Sequence, residues 1–306
     1  MAGFVTRFAP SPTGPLHLGH AYSAMLAHDM ARANGGRFLL RIENIDQGRS
    51  KPEWEAAIFD DLAWLGLAWE TPVMRQSDRL AAYAAALGRL ADLGLIYPCT
   101  CTRRDIAAAL SAPQEGADPA MGPDGPVYPG TCRPAGHAAP QPFPPAAALR
   151  LDMRRAVALT GDLAFVETGQ GPMRETGPIP VTAHAMMEGV GDVVLARRDM
   201  GTSYHLSVVL DDAAQAVTHV VRGEDLFEAT RIHVLLQRLL GLPTPVYHHH
   251  RLIRDDAGKR LAKRDDARAL AKYRAEGATP DDIRRLVGLQ AIGAISSTSA
   301  PSRTAV

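Results

Sequence analysis

Residues 111–148 carry ten prolines. Proline fixes φ and removes a backbone donor, so this stretch cannot run through a regular layer of helices or strands. The fold must be built on either side of it. Before it, the pattern is regular. Residues 3–9, with Phe4, Val5 and Phe8, predict a short strand. Residues 17–34 place small apolar residues at helical spacing and stop at Asn34-Gly35-Gly36. "RFLLRIE" (37–43) predicts a buried parallel strand. A helix over 51–67 opens with Pro52 in its first turn, and another over 77–94 is expected to be capped by Ser77 and stopped by Gly94. Strand, helix, strand, helix, helix is the grammar of a doubly wound α/β domain.

Beyond the prolines, strand signals return at 148–153, 192–199 and 217–221, followed by a helix over 228–242 and one more within 280–290. The expected fold is α/β: a Rossmann-type parallel sheet interrupted by an insertion, with a short helical C-terminal segment. The expected division is 1–95 for the first half of the α/β domain, 96–190 for the insertion and 191–242 for the second half. A basic loop and helical end follow over 243–292, then a disordered tail over 293–306.

Composition removes several classes. No run of about 18 apolar residues occurs, so no membrane span is expected. The opening "MAGFVTRFAP" is broken by proline too early for a signal peptide. Three cysteines argue against a disulfide scaffold and for a reducing compartment, the cytoplasm. The formal net charge is zero, which gives no support to a protein that simply coats nucleic acid. Basic residues nevertheless cluster at Lys259-Arg260 and Lys263-Arg264.

"FAPSPTGPLHLGH" (8–20) leads from the first strand into the first helix. A helix N-terminus offers unpaired N–H groups and a partial positive charge, and so attracts phosphate. His17 and His20 can add imidazole donors, and Gly19, lacking a side chain, lets a flat ring lie on the backbone. This arrangement suits nucleotide chemistry, which depends on positioning and charge stabilisation.

The same stretch resembles the HIGH signature of class I aminoacyl-tRNA synthetases, in the form used by the glutamyl and glutaminyl group. The resemblance implies ATP bound by His17, Gly19 and His20, with magnesium accompanying the nucleotide. It also implies a mobile KMSKS loop, which "GKRLAKRDD" (258–266) fits with Lys263 in the place of the catalytic lysine. His17, His20 and Lys263 are the catalytic residues so implied. Arg260 and Ala262 depart from the usual lysine and serine of that motif. For the amino acid, the resemblance implies Arg7 with Ser11 as the clamp on a glutamate side-chain carboxylate and Glu43 as the partner of its ammonium. Phe8, Ala9 and Pro10 lie within the same motif, and Tyr204 and Arg222 are further contacts. Asn44 stands where the family usually has aspartate.

Cys99 and Cys101 lie one residue apart and Cys132 follows. Such a set suggests one structural zinc ion per chain. His137 is the obvious fourth ligand by chemistry. The C-x-C then Y-x-x-x-C pattern resembles the short glutamyl-queuosine tRNA(Asp) synthetase family, which implies Tyr128 instead. That family activates L-glutamate with ATP, without needing tRNA, and transfers it to queuosine in the anticodon of tRNA(Asp). The chain is expected to be a monomeric ligase of this kind, lacking the anticodon-reading domain of the longer enzymes. A shortened glutamyl-tRNA synthetase charging tRNA(Glu), a HIGH-type nucleotidylyltransferase on a small molecule, and a non-catalytic binding module remain as rivals.

Overall fold

A computed structural model describes residues 3–110, 120–136, 142–144, 147–254 and 268–290. The first part holds β1 (Val5–Phe8), α1 (Leu18–Ala33), β2 (Arg37–Ile42), α2 (Pro52–Trp64), β3 (Glu70–Arg75) and α3 (Leu80–Asp92). The middle holds β4 (Ile96–Cys99), α4 (Arg103–Leu110), β5 (Met121–Gly122), β6 (Gly125–Pro126), β7 (Ala148–Leu151), α5 (Met153–Thr160), β8 (Leu163–Glu167), β9 (Gly177–Val181), α6 (Ala183–Gly189) and β10 (Val194–Ala196). The last part holds α7 (Tyr204–Ala214), β11 (His219–Gly223), α8 (Ala229–Leu240), β12 (Val246–His250), α9 (Leu270–Ala275) and α10 (Pro280–Leu286).

Strands β1, β2 and β3 form one parallel sheet. Strands β11, β12 and β8 run parallel in a second, with β9 antiparallel at its edge. The sheets meet where Thr218, just before β11, donates its N–H to the Val5 carbonyl at 3.0 Å and accepts the Val5 N–H on its hydroxyl at 2.8 Å. The parallel strands thus follow the order β3-β2-β1-β11-β12-β8, which reverses direction of growth between β1 and β11. Open α/β sheets bind ligands at such a switch point, beyond the carboxyl ends of the strands.

The insertion is a separate antiparallel sheet in the order β10-β7-β4, with the small β5–β6 hairpin beside it. The strand expected at 192–199 is therefore β10, in the insertion sheet. Residues 163–181, grouped with the insertion in the sequence reading, form β8 and β9 in the sheet that carries β11. The expected tail, 293–306, lies outside the described residues.

Helix α3 starts later than expected. Residues 76–79 form a single 3₁₀ turn, and Ser77 does not cap the helix. Its N–H donates to Asn44 Oδ1 at 2.9 Å, and its hydroxyl accepts from Asn44 Nδ2 at 3.0 Å. Only an amide can play both parts, which gives Asn44 a use that an ionised aspartate lacks. The helix stop at Gly94 is observed, with φ at +68°.

Two apolar clusters hold the layers. One joins α3, α7, α8 and the inner faces of β8 and β9, centred on residues such as Tyr83, Leu90, Leu206 and Leu236. The other joins α1, α2 and β2 to the C-terminal helices through Met25, Leu40, Ile58, Leu62, Leu270 and Ile283. Each fully buried aliphatic side chain contributes roughly 1.5–3 kcal/mol. Buried Arg284 of α10 pairs with Asp29 of α1, which fixes the helical end against the first helix.

Candidate active site

A cleft of about 360 Å³ opens at the carboxyl ends of β1 and β11. Arg7, Phe8, Ala9, His17, Gly19, His20, Glu43, Tyr204 and Arg222 all line it. Pro10 and Ser11 do not. Pro10 is buried and its carbonyl accepts the Glu43 N–H at 3.0 Å, so it holds the segment carrying that carboxylate. Ser11 is exposed.

The start of α1 is built by its two histidines. His17 is the N-cap: its Nδ1 accepts the Gly19 N–H at 3.1 Å, while its own N–H donates to His20 Nδ1 at 3.2 Å. With Nδ1 accepting in both rings, the ring proton of each neutral imidazole sits on Nε2. A Cβ on Gly19 would meet His17 Cε1 at 3.0 Å, tighter than an ordinary contact, so a larger residue there would push the ring outward. The rings lie 3.9 Å apart between centroids.

The amino-acid residues are tied into a buried charge cluster. Arg7 Nε donates to Asp212 Oδ1 at 2.9 Å. Arg41 donates to the same oxygen at 2.7 Å and to Glu43 Oε1 at 3.1 Å. Two guanidinium groups and two carboxylates thus alternate and balance. Burial works against ionised Asp212, but Arg7 and Arg41 hold it below the ordinary value of 3.8. Burial lifts Glu43 above 4.5 despite Arg41 and Arg7. An arriving ammonium would favour its charged form. Arg222, 6% exposed, is held by Thr230 Oγ1 at 2.7 Å, His249 Nε2 at 3.2 Å and His233 Nδ1 at 3.1 Å, with the Tyr204 hydroxyl at 3.5 Å.

Sequence reasoning missed Asp212, Arg41, Ser23 and His250. The last two face the cleft with 2.6 Å between Ser23 Oγ and His250 Nε2, and burial presses His250 down to about 4. A signal for Asp212 existed. "SVVLDDAA" sets two aspartates in an apolar helix, where a carboxylate must be paired. Both are buried; Asp211 takes Gln76, Arg79 and Tyr83.

Lys263, Arg260 and Ala262 lie outside the described residues. The chain on either side of them meets the cleft. Leu252 and Ile253 line it, Ala269 forms a β-bridge with His17, and the Leu270 N–H donates to the Leu16 carbonyl at 2.8 Å.

The cysteine set converges. The Sγ atoms of Cys99, Cys101 and Cys132 all lie within 4.8 Å of one another. Tyr128 Oη sits 3.4 Å from both Cys99 Sγ and Cys101 Sγ and accepts the Cys132 N–H at 2.9 Å. The Arg150 guanidinium lies over the Tyr128 ring, 3.8 Å from its centroid. Three soft sulfurs and one phenol oxygen within reach of one another fit a tetrahedral metal ion. Burial and its bonds to the cysteines hold the Tyr128 phenol in its protonated form, well above 10.0, so a bound ion would have to displace that proton, with the Arg150 cation and the Cys132 N–H stabilising the phenolate. Burial opposes ionisation of Cys132, yet the bonds it receives from Tyr128 and the Thr100 backbone bring it to about 6. His137 lies outside the described residues. Between this cluster and the cleft lies a second cavity, about 880 Å³, and Tyr204 lines both.

The family described as tRNA synthetases class I (E and Q), catalytic domain, matches residues 4–121 and 171–299. The unmatched interval includes Tyr128 and Cys132. A glutamyl-Q tRNA(Asp) synthetase of Rhodobacter capsulatus is 68% identical over 290 residues, covering 93% of this chain and 100% of that protein. One from Nocardia farcinica is 43% identical, covering 93% of this chain and 84% of its own length. Among solved structures, the glutamate-tRNA synthetase of Elizabethkingia anophelis superposes with a TM-score of 0.70 at 25% identity, over 93% of this chain and 61% of that one. The chain belongs to the class I tRNA synthetases of the E and Q type and, within them, to the family of the glutamyl-Q tRNA(Asp) synthetases.

Proposed function

We propose that the protein activates L-glutamate with ATP, without needing tRNA, and transfers it to queuosine in the anticodon of tRNA(Asp). One observation carries this reading. Arg7, Glu43, Tyr204 and Arg222, distant in sequence, line the same cleft as His17, Gly19 and His20. Two guanidinium groups and a carboxylate suit an amino acid with one ammonium and two carboxylates. The names of the relatives point the same way.

In the first step the glutamate α-carboxylate attacks the α-phosphorus of ATP, and pyrophosphate leaves. Arg7 holds the side-chain carboxylate, Glu43 the ammonium, and Tyr204 and Arg222 complete the pocket, with Phe8 and Ala9 shaping its edge. His17 and His20, with the N-terminus of α1, donate to the phosphates, and Lys263 neutralises charge on the leaving group. In the second step a queuosine hydroxyl attacks the acyl carbon and AMP leaves. No protein nucleophile is required. Magnesium accompanies ATP, as is general for the class.

Cys99, Cys101, Tyr128 and Cys132 would hold zinc, which supplies a structural cross-link between β4 and the loop carrying Cys132. Glutamate-dependent ATP–pyrophosphate exchange in the absence of tRNA tests the first step. Exchange with glutamate alone is expected. Exchange only after tRNA(Glu) is added would identify a shortened glutamyl-tRNA synthetase instead.

A further inference from the structure

A hydrogen-bonded chain runs from the insertion into the cleft. Asp124, in the turn between β5 and β6, accepts from His205 Nε2 at 3.0–3.1 Å. His205 Nδ1 lies 3.1 Å from His233 Nε2, and His233 Nδ1 lies 3.1 Å from Arg222 Nη1. On the other side, Arg222 Nε lies 3.2 Å from His249 Nε2, and His249 Nδ1 lies 2.5 Å from Glu167 Oε2. The participants come from the hairpin, α7, α8, β11, β12 and β8.

The polarity of the chain follows from its middle. A guanidinium can only donate. His233 Nδ1 must therefore accept, which puts its proton on Nε2 and makes it a donor to His205 Nδ1. His205 then carries its own proton on Nε2 and needs an acceptor beyond it. Asp124 is that acceptor. The same reasoning gives His249 a proton on Nδ1, received by Glu167. Both branches end on carboxylates, as a donor-only centre requires. Burial keeps His233 and His249 neutral by lowering both below 6.5.

We propose that Asp124 and His205 are positioning residues for Arg222: the hairpin of the insertion fixes the tautomer of His205 and His233, and through them the orientation of the guanidinium that faces the cleft. The proposal rests on the reading that Arg222 contacts the amino acid. Glutamate binding then depends on the hairpin being seated on α7, although Asp124 itself does not line the cleft. Asp124 is 55% exposed on its hairpin, while His205, His233 and Arg222 are buried. A substitution at Asp124 therefore perturbs the relay without opening the core.

The test is Asp124→Ala in the full chain, read by ATP–pyrophosphate exchange. Loss of the acceptor for the His205 Nε2–H predicts a rise in glutamate KM on the order of tenfold, with kcat and ATP KM within about twofold. Asp124→Asn should restore KM, because its Oδ1 can still accept from His205. Nitrogen-15 NMR of the imidazoles should show Nε2–H tautomers for both His205 and His233 in the wild type, and a changed His205 signal in Asp124→Ala. A wild-type KM in Asp124→Ala, with a raised KM in Arg222→Ala, overturns the proposal. An Nδ1–H tautomer at His205 or His233 in the wild type also overturns it. A wild-type KM in Arg222→Ala overturns instead the reading of Arg222 as an amino-acid contact.

Discussion

Asp212→Asn is the sharpest perturbation of the cleft. Asp212 is 5% exposed and lies between Arg7, at 4%, and Arg41, at 0%. It bonds to them at 2.9 and 2.7 Å. Asparagine keeps the shape and one acceptor oxygen but removes the charge. Two buried guanidinium groups would then share Glu43 as their remaining carboxylate among the four groups of the cluster. A pair of unit charges about 4 Å apart interacts by roughly 4 kcal/mol at an effective dielectric of about 20. Removing one partner of a buried pair typically costs about 3–5 kcal/mol. The expected destabilisation is therefore about 3–5 kcal/mol, seen as a fall in Tm of roughly 6–20 °C. Glutamate KM should rise as well, because Arg7 loses the partner that aims it. The sign of the pH dependence is fixed. Asp212 is depressed in the folded state, so its contribution is complete above its unfolded value of about 3.8 and is lost as pH falls through the lower folded value. Thermal unfolding of wild type and variant between pH 7 and pH 3 measures both effects. A variant within about 1 kcal/mol of wild type at pH 7 would refute the closed charge cluster.

Lys263→Ala should slow adenylate formation by on the order of 10²–10³-fold with little change in Tm; near-normal exchange rates would remove it from the mechanism. The wild type should contain one zinc ion per chain, and Cys101→Ala should lose it together with stability; a metal-free, folded and active wild type would contradict the zinc reading. Tyr128→Phe should weaken zinc retention against a chelator on the order of tenfold or more, since it removes the only non-sulfur ligand proposed. His250 should gain a proton on unfolding between its folded value of about 4 and its unfolded value of 6.5, so wild-type stability falls as pH drops through that window. In His250→Gln this part of the loss should vanish, and an unchanged pH profile would show that His250 is not buried neutral.

The legibility of the chain followed the range of its interactions. Helix α1 and its Gly35 stop could be read because local spacing and a left-handed glycine determine them. Strands β8 and β9 went unread. "LAFVE" and "GPIPV" are short, and the second carries prolines tolerated only because it lies at a sheet edge. The 3₁₀ turn at 76–79 was hidden because Ser77 found Asn44 rather than its own helix, a contact 33 residues away. The motif residues of the cleft were legible because "FAPSPTGPLHLGH" resembles a family signature, and that resemblance implied their roles. Asp212 and Arg41 were not, since their partnership spans 171 residues and only folding brings them together. Tyr128 was legible as a candidate ligand only through the family resemblance of the Y-x-x-x-C pattern, chemistry alone pointing to His137, and it stands at 3.4 Å from two of the sulfurs. The histidine relay left no mark in the sequence beyond scattered histidines.

The most direct test of the central claim is transfer of labelled glutamate, by the purified protein with ATP and magnesium, to two samples of tRNA(Asp) that differ only in carrying queuosine or unmodified guanosine at that anticodon position. The account predicts label on the queuosine-containing tRNA, retained when the 3′-terminal ribose is destroyed, and none on the other. Equal labelling of both, or label that vanishes with the 3′-terminal ribose, would contradict it.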